Sequence, residues 1–310
     1  MLKPSAEFFA NGKLLLTAEY FVLHGARALA LPVKYGQSMV VCPPVASFKE
    51  HSSVFFWQSF FQDQLWFSAG FDSSRFNIKQ ASDPKIAETL ARLLKTIGEM
   101  NPQFHIGAGT GIKTVLDFNP QWGLGSSSTL VANMAAWAGV DPYLLNEKVF
   151  GGSGFDIACA NADGPVFYCR GQKAEPVTLD YPFADRLFLV YSGKKKSTQE
   201  AIVAKIKAPS ATKKKTISAL TEQFANCKKL EDFQELIRRH EQEVAALIGE
   251  KPVQQLLFAD FDGVIKSLGA WGGDFLLAAT SLDFRQVKEY FERKGRTDVF
   301  KWENVKYSKL

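Results

Sequence analysis

Cysteine, histidine and methionine each occur only four times in this 310-residue chain. Cys42, Cys159, Cys169 and Cys227 lie far apart without a CxxC pair, and no HExxH pair occurs, so neither a disulfide framework nor a structural zinc site is expected. No uninterrupted apolar run approaches the roughly 20 residues a membrane span requires. The N-terminus also lacks a basic stretch followed by an apolar signal core. A soluble, cytoplasmic protein with no membrane partner is therefore expected. The absence of internal repeats and low-complexity tracts excludes a solenoid. Two familiar nucleotide motifs are missing as well. A Walker loop needs a lysine directly after its last glycine, where Ser126 follows Gly125, and a dinucleotide fingerprint needs a third glycine where Ser128 stands.

With 46% hydrophobic residues the chain can bury a substantial core, as one large or two moderate domains. The net charge of +5 arises partly from Lys194-Lys195-Lys196 and Lys213-Lys214-Lys215. The aromatics concentrate elsewhere, so these lysines lack the interleaved stacking residues that single-strand binding favours, and no nucleic-acid partner is expected. Solvated faces, or contact with an anionic small molecule, are the remaining readings.

Residues 8–41 read as strands broken by turns at Asn11-Gly12 and His24-Gly25, and the aromatics of 48–76 read as a hairpin with a buried face. Residues 107–111 read as a turn between strands. Asp83-Pro84 opens a helix with Ile86, Leu90, Leu93, Leu94 and Ile97 on one face, and a second helix runs from Ser127 or Ser128 to Gly139. Strands are expected near 164–169 and 186–191. Beyond them lies a mainly helical region over about 198–247, broken near Pro209, with Phe233, Leu236, Ile237, Val244 and Leu247 as its apolar stripe. The class is α+β, with a boundary near Asp180 that gives domains 1–180 and 181–310.

The most informative stretch is Trp122-Gly123-Leu124-Gly125-Ser126-Ser127-Ser128-Thr129-Leu130, which sets small residues and hydroxyls ahead of an apolar helical run. Glycines let main-chain N–H groups approach an anion, the helix presents its N-terminal donors and positive dipole end, and serine hydroxyls can bind phosphate oxygens or Mg²⁺. A Gly/Ser helix cap is the alternative. Three further segments suit phosphoryl transfer: Asn11-Gly12-Lys13 through Glu19-Tyr20, Gly151-Gly152-Ser153-Gly154-Phe155-Asp156, and Gly269-Ala270-Trp271-Gly272-Gly273-Asp274.

In this order the segments resemble the GHMP superfamily of small-molecule kinases, which includes galactokinases, homoserine kinases, mevalonate kinases and phosphomevalonate kinases. The resemblance covers nearly the whole chain. Lys13 through Gly25 is similar to the first motif, Gly123 through Ser128 to the phosphate-binding second, and Gly269 through Asp274 to the glycine-rich third. Ser153-Gly154-Phe155-Asp156 looks most like the Ser-Gly-Phe-Asp of phosphomevalonate kinases. The chain departs from the family at Asn11 (commonly Pro), Ala18 (Gly), Tyr20 (His in mevalonate kinases), Trp271, which interrupts the third cluster, and Pro120, one position nearer the loop.

The resemblance implies a two-domain kinase, with an N-terminal domain like domain 2 of ribosomal protein S5 and a ferredoxin-like C-terminal domain. It implies ATP and Mg²⁺ as cofactors and a small anionic or hydroxylated metabolite as acceptor, most specifically mevalonate or phosphomevalonate, with a homodimer left open. By the same resemblance Trp122, Gly123, Leu124, Gly125, Ser126, Ser127 and Ser128 bind ATP, and Ser127 and Glu147 hold the metal. Asp156 is the general base, and Lys13 stabilises developing charge. Glu19, Tyr20, Ser153, Gly154, Lys195 and Asp274 meet the acceptor. Each has a structural alternative: an Asx turn for Asp156, a surface lysine for Lys13, a surface helix residue for Glu147, core for Tyr20, and turn packing for the third cluster. The rival functions are a GHMP kinase for a sugar or homoserine, a non-catalytic metabolite or nucleotide sensor, and a decarboxylase, against which Ser153-Gly154-Phe155-Asp156 argues.

Overall fold

The computed structural model describes residues 5–44, 53–193, 206–269 and 273–307. Two compact units emerge, each assembled from non-contiguous stretches: the first from 1–12, 35–120 and 124–161, the second from 13–34, 121–123 and 162–310. Two long strands, β1 (Ala6–Leu15) and β2 (Ala28–Cys42), pair with each other and pass from one set of residues to the other. Asn11-Gly12 is therefore not a turn. Its place inside β1, which pairs with β2, overrides the local turn signal, and Asn11 is buried within the strand. The second expected turn is present: a single 3₁₀ turn over Phe21–His24 is closed by Gly25, whose φ of 81° suits glycine.

The first unit is built on a mixed sheet. β3 (Val54–Phe61) and β4 (Gln64–Asp72) form the expected antiparallel hairpin, with β5 (Ile78–Ala81) beside β4. On its other side β3 pairs in parallel with β6 (Gly111–Leu116), which pairs antiparallel with the 37–42 part of β2. Alternation along the hairpin puts Phe55, Trp57, Phe67 and Phe71 in the core, whereas Trp66 is 41% exposed. Helix α1 (Pro84–Met100) begins as its sequence requires, with the Asp83 carboxylate accepting from the Lys85 and Ile86 N–H groups, and its Leu90, Leu93, Leu94 and Ile97 join the same core. Residues 107–111 do turn into β6, but from a helix and not from a strand. The sheet then gives way to α2 (Ser126–Ala138), α3 (Pro142–Val149) and α4 (Phe155–Ala160), with α2 packed on both of the others.

In the second unit β7 (Val166–Tyr168) pairs with Ala28–Ala30 of β2 and with β8 (Glu175–Pro176). A separate antiparallel sheet takes β9 (Leu187–Tyr191), β10 (Val264–Leu268), β11 (Phe275–Ala279) and β12 (Val299–Lys301) in the order β10-β11-β9-β12. Its helices are α5 (Ala211–Asn226), α6 (Leu230–Ile248), α7 (Val253–Leu257), α8 (Phe284–Arg293) and α9 (Trp302–Val305), with α6 lying on β10 and β11. The expected break near Pro209 precedes α5, whose N-cap is Ser210. A second break at Cys227–Lys229 separates α5 from α6. No helix among the described residues is long and apolar enough to cross a membrane.

Candidate active site

The residues of the glycine-serine loop are divided between the two sets, 121–123 in the second and 124 onward in the first. Gly125 is the N-cap of α2 in a left-handed conformation (φ 94°), so the helix opens without a side-chain cap, and its first turn carries three serines and no acid. The three hydroxyls differ. Ser128 is buried and donates to the Gly125 carbonyl at 2.8 Å, which braces the loop; Ser126 is half-buried and Ser127 exposed. Thr129 donates to the Gln37 side chain (3.0 Å), and Asn133 to the Gln37 carbonyl (2.8 Å), tying α2 to β2 beneath its open end. An uncapped helix N-terminus flanked by glycine and hydroxyls fits a polyphosphate.

In the same unit, Gly151, Gly152 and Gly154 all have positive φ and carry the chain from α3 into α4. The Asn146 amide fixes this turn by donating to the Gly151 carbonyl at 2.8 Å. The turn leaves Asp156, half-buried, in the first turn of α4, and Ser153 buried within it. Glu147 is exposed on the last turn of α3. The exposed oxygens of Ser127 and Glu147 are the hard donors Mg²⁺ takes, few in number, as suits an ion that keeps waters and phosphate ligands. Among the described residues no three His, Cys, Asp or Glu side chains form a metal cage.

The second unit brings together Lys13, Trp122, Gly123 and Asp274, which lie far apart in sequence. Lys13 Nζ donates to the Gly123 carbonyl at 3.0 Å. Gly123 has φ of 66°, and a Cβ there would overlap the Asp274 carboxylate, so glycine is required on two counts. Trp122 packs among Phe300, Phe275 and Tyr191, with ring centroids 5.2, 6.1 and 6.4 Å away, and Tyr191 OH donates to the Gln121 carbonyl at 3.1 Å. Aromatic residues of β9, β11 and β12 thus anchor the start of the glycine loop. Lys195 and residues 270–272, including Trp271, lie outside the described residues.

Glu19 and Tyr20 are not surface groups. Both are buried, Glu19 to 2% exposure, and the Glu19 carboxylate accepts from Lys266 Nζ at 2.5 Å. The acceptor contact expected of Glu19 is thus not made by an exposed carboxylate. Lys266, itself fully buried, also lies 3.4 Å from Glu241 and donates to the Ser267 carbonyl at 2.9 Å. His240, one residue before Glu241 on α6, completes the cluster. Its Nε2 accepts from the Ala18 N–H at 2.8 Å and lies 3.4 Å from Glu19. Sequence reasoning missed Lys266, His240 and Glu241. The signal was there: residues 240 and 241 fall on the stripe of Phe233, Ile237 and Val244, and Lys266 lies in a short segment between Val264-Ile265 and Leu268.

One ammonium serves two carboxylates, so the cluster favours keeping a proton. Burial raises the Glu19 carboxyl despite Lys266, and pushes Glu241 up to about 7, with Lys266 opposing and Glu19 reinforcing the shift. His240 moves the other way, held well below its ordinary value by burial and by Lys266. A raised carboxyl pKa favours the folded state below the unfolded value of 4.5, and that contribution is lost as pH rises through about 7. Glu241→Gln lacks this loss. The stability of the variant relative to the parent should therefore climb between pH 4.5 and 8, read as the difference in urea midpoints, while the His240 contribution is common to both proteins. A difference that stays flat with pH would refute the shifted Glu241.

No family model matches the sequence, and no curated protein emerges as a relative. Solved structures do match. Mevalonate kinase from Methanococcus jannaschii aligns over 98% of both chains at 16% identity, with a TM-score of 0.73. Phosphomevalonate kinase from Streptococcus pneumoniae, solved with phosphomevalonate and AMPPNP, aligns over 97% of this chain and 98% of its own at 15% identity and a TM-score of 0.67. This is the GHMP-kinase fold. The same fold is shared by a Campylobacter jejuni protein provisionally assigned as a sugar kinase, which is 12% identical with a TM-score of 0.62 and aligns over 98% of this chain and 95% of its own. At these identities the GHMP-kinase fold, and not the acceptor, is what the likeness establishes.

Proposed function

We propose that this chain is an ATP- and Mg²⁺-dependent kinase that transfers the γ-phosphoryl group to mevalonate or phosphomevalonate. The observation that carries the reading is the uncapped, glycine- and serine-rich start of α2 within a fold matched end to end by kinases for those two acceptors. Bound ATP and Mg²⁺ supply the transferable phosphoryl group and the neutralising charge. Gly123, Gly125 and Ser126 cradle phosphate oxygens, Trp122, Leu124 and Ser128 shape the loop that does so, and Ser127 and Glu147 offer oxygens to the metal. Asp156 accepts the proton of an acceptor hydroxyl. Lys13, held at the Gly123 carbonyl, offsets negative charge. Ser153, Gly154, Tyr20, Asp274 and Lys195 belong to the acceptor side. The finer architecture we propose is the S5-domain-2-like and ferredoxin-like pair, divided as 1–180 and 181–310 in a cytoplasmic protein.

The Campylobacter match keeps a sugar acceptor as the second reading. The test offers ATP and Mg²⁺ with mevalonate, phosphomevalonate, homoserine and galactose in separate reactions, and identifies the phosphorylated product by mass. Product from mevalonate or phosphomevalonate alone is expected. Product from galactose alone would replace the acceptor, and ATP binding without any transfer would replace the kinase reading with a sensor.

A further inference from the structure

Ala18 and Tyr20 both have φ of 64°, a left-handed backbone that L-residues adopt at a cost. The Phe21 N–H donates to the Glu19 carbonyl at 2.8 Å and, with ψ of −39° at Tyr20, closes a γ-turn of the rare positive-φ kind. Strain of this sort persists only where the surroundings enforce it. Here the enforcement comes from buried side chains far along the chain. The Thr17 hydroxyl bonds that of Thr221 on α5 at 2.8 Å and accepts from the Leu29 N–H at 2.9 Å. His240 takes the Ala18 N–H, and Lys266 takes the Glu19 carboxylate.

His240 is chemically specific for this task. Because Nε2 accepts from Ala18, the ring is the neutral tautomer with its proton on Nδ1, in keeping with its depressed pKa and with its edge-on packing at 5.8 Å from Phe224. Nδ1 is buried without a hydrogen-bond partner among the described residues. An orphaned donor inside a protein is unfavourable, so the ring is not retained for packing alone. An apolar residue would fill the same space without that penalty, but would leave the Ala18 N–H unbonded.

We propose that His240, supported by Lys266, is a positioning residue that holds the Ala18–Tyr20 turn in its strained form, and that this turn sets acceptor binding. The acceptor part rests on the kinase reading above; the positioning part does not. His240→Leu removes the acceptor of the Ala18 N–H, whereas the amide oxygen of His240→Gln can reach the place of Nε2. Hydrogen exchange of a peptide spanning 14–23 should speed up about tenfold in His240→Leu, with helix Ser126–Ala138 unchanged, and should return close to the parent rate in His240→Gln. With an acceptor that turns over, its KM should rise about tenfold in His240→Leu while the KM for ATP stays within roughly twofold. Adding Ala18→Gly to His240→Leu, which makes positive φ inexpensive, should recover part of both effects. Should His240→Leu not fold, His240→Asn, too short to reach Ala18, takes its place.

Unchanged exchange in 14–23, or a glutamine variant as impaired as the leucine one, overturns the proposal. If the exchange pattern holds but no acceptor is phosphorylated by the parent protein, the kinase reading falls and the positioning role stands.

Discussion

Lys266→Met is expected to lower the unfolding free energy by about 3–5 kcal/mol at pH 8, the usual consequence of removing one partner of a buried ion pair. The methionine can occupy the space of the lysine stem, so lost volume is not the cause. The cause is electrostatic: Glu19, at 2.5 Å, and Glu241, at 3.4 Å, are left facing each other with no cation among groups that are nearly fully buried. Among the described residues their relief is protonation, of the carboxylates themselves or of His240 beside Glu19. The variant should therefore recover part of its loss when pH is lowered from 8 to 5, a direction opposite to ordinary acid denaturation. Replacing both carboxylates as well, with Glu19→Gln and Glu241→Gln, should restore most of the stability. Urea unfolding followed by circular dichroism at the two pH values measures each of these. A loss below about 1 kcal/mol at pH 8 is the size expected of a surface pair, and would mean that the ammonium is not compensating the buried carboxylates.

Asp156→Ala should reduce kcat by a factor of about 10²–10⁴ while leaving ATP affinity nearly unchanged, if Asp156 is the general base. The helix start that would take phosphate has its own donors and does not depend on this carboxylate, which is presented separately by the Gly151–Gly154 turn. Asp156→Asn separates the two proposed acceptors. An alcohol must lose its proton to become a good nucleophile, so asparagine should be nearly as damaging as alanine. A phosphate acceptor already carries negative charge, and asparagine, which can still orient it by hydrogen bonding, should then cost less than about tenfold. Transfer rates measured at saturating ATP, with ATP affinity measured separately, distinguish these cases. Undiminished turnover in Asp156→Ala would remove Asp156 from the chemistry.

The elements that were legible in the sequence are those whose local signals agree with their packing. Asp83-Pro84 and the spacing from Ile86 to Ile97 announce α1, and alternating aromatics announce the β3–β4 hairpin. Asn11-Gly12 misleads because a turn signal is a local preference, and the pairing of β1 with β2 outweighs it. The glycine-serine loop was legible as the lead into a helix start, but its anchoring was not. Nothing in the spacing of Trp122, Phe275 and Phe300 indicates that the three rings meet, since that contact depends on strand order. The buried cluster was hidden for a different reason. Lysine, glutamate and histidine within a charge-rich helix or a short strand read as solvated, and only their register with apolar neighbours marks them as interior. Their positions could have been suspected from that register, their mutual pairing could not.

The partners of the first motif lie very far from it along the chain. Thr17 is bonded to Thr221, Ala18 to His240 and Glu19 to Lys266, separations of 204, 222 and 247 residues. At ribosomal rates of about 5–20 residues per second, Lys266 is synthesised roughly 10–50 s after Glu19. Until Thr221, His240 and Lys266 have followed in turn, the segment lacks the long-range bonds that hold its strained turn, and closing loops of such length is among the slower steps available to a folding chain. A polypeptide truncated or stalled before α5 therefore carries every residue from Lys13 to Asp156 yet lacks all three of these distant partners of the first of its motifs. The geometry of the first motif thus waits on the helices and the strand that follow residue 210.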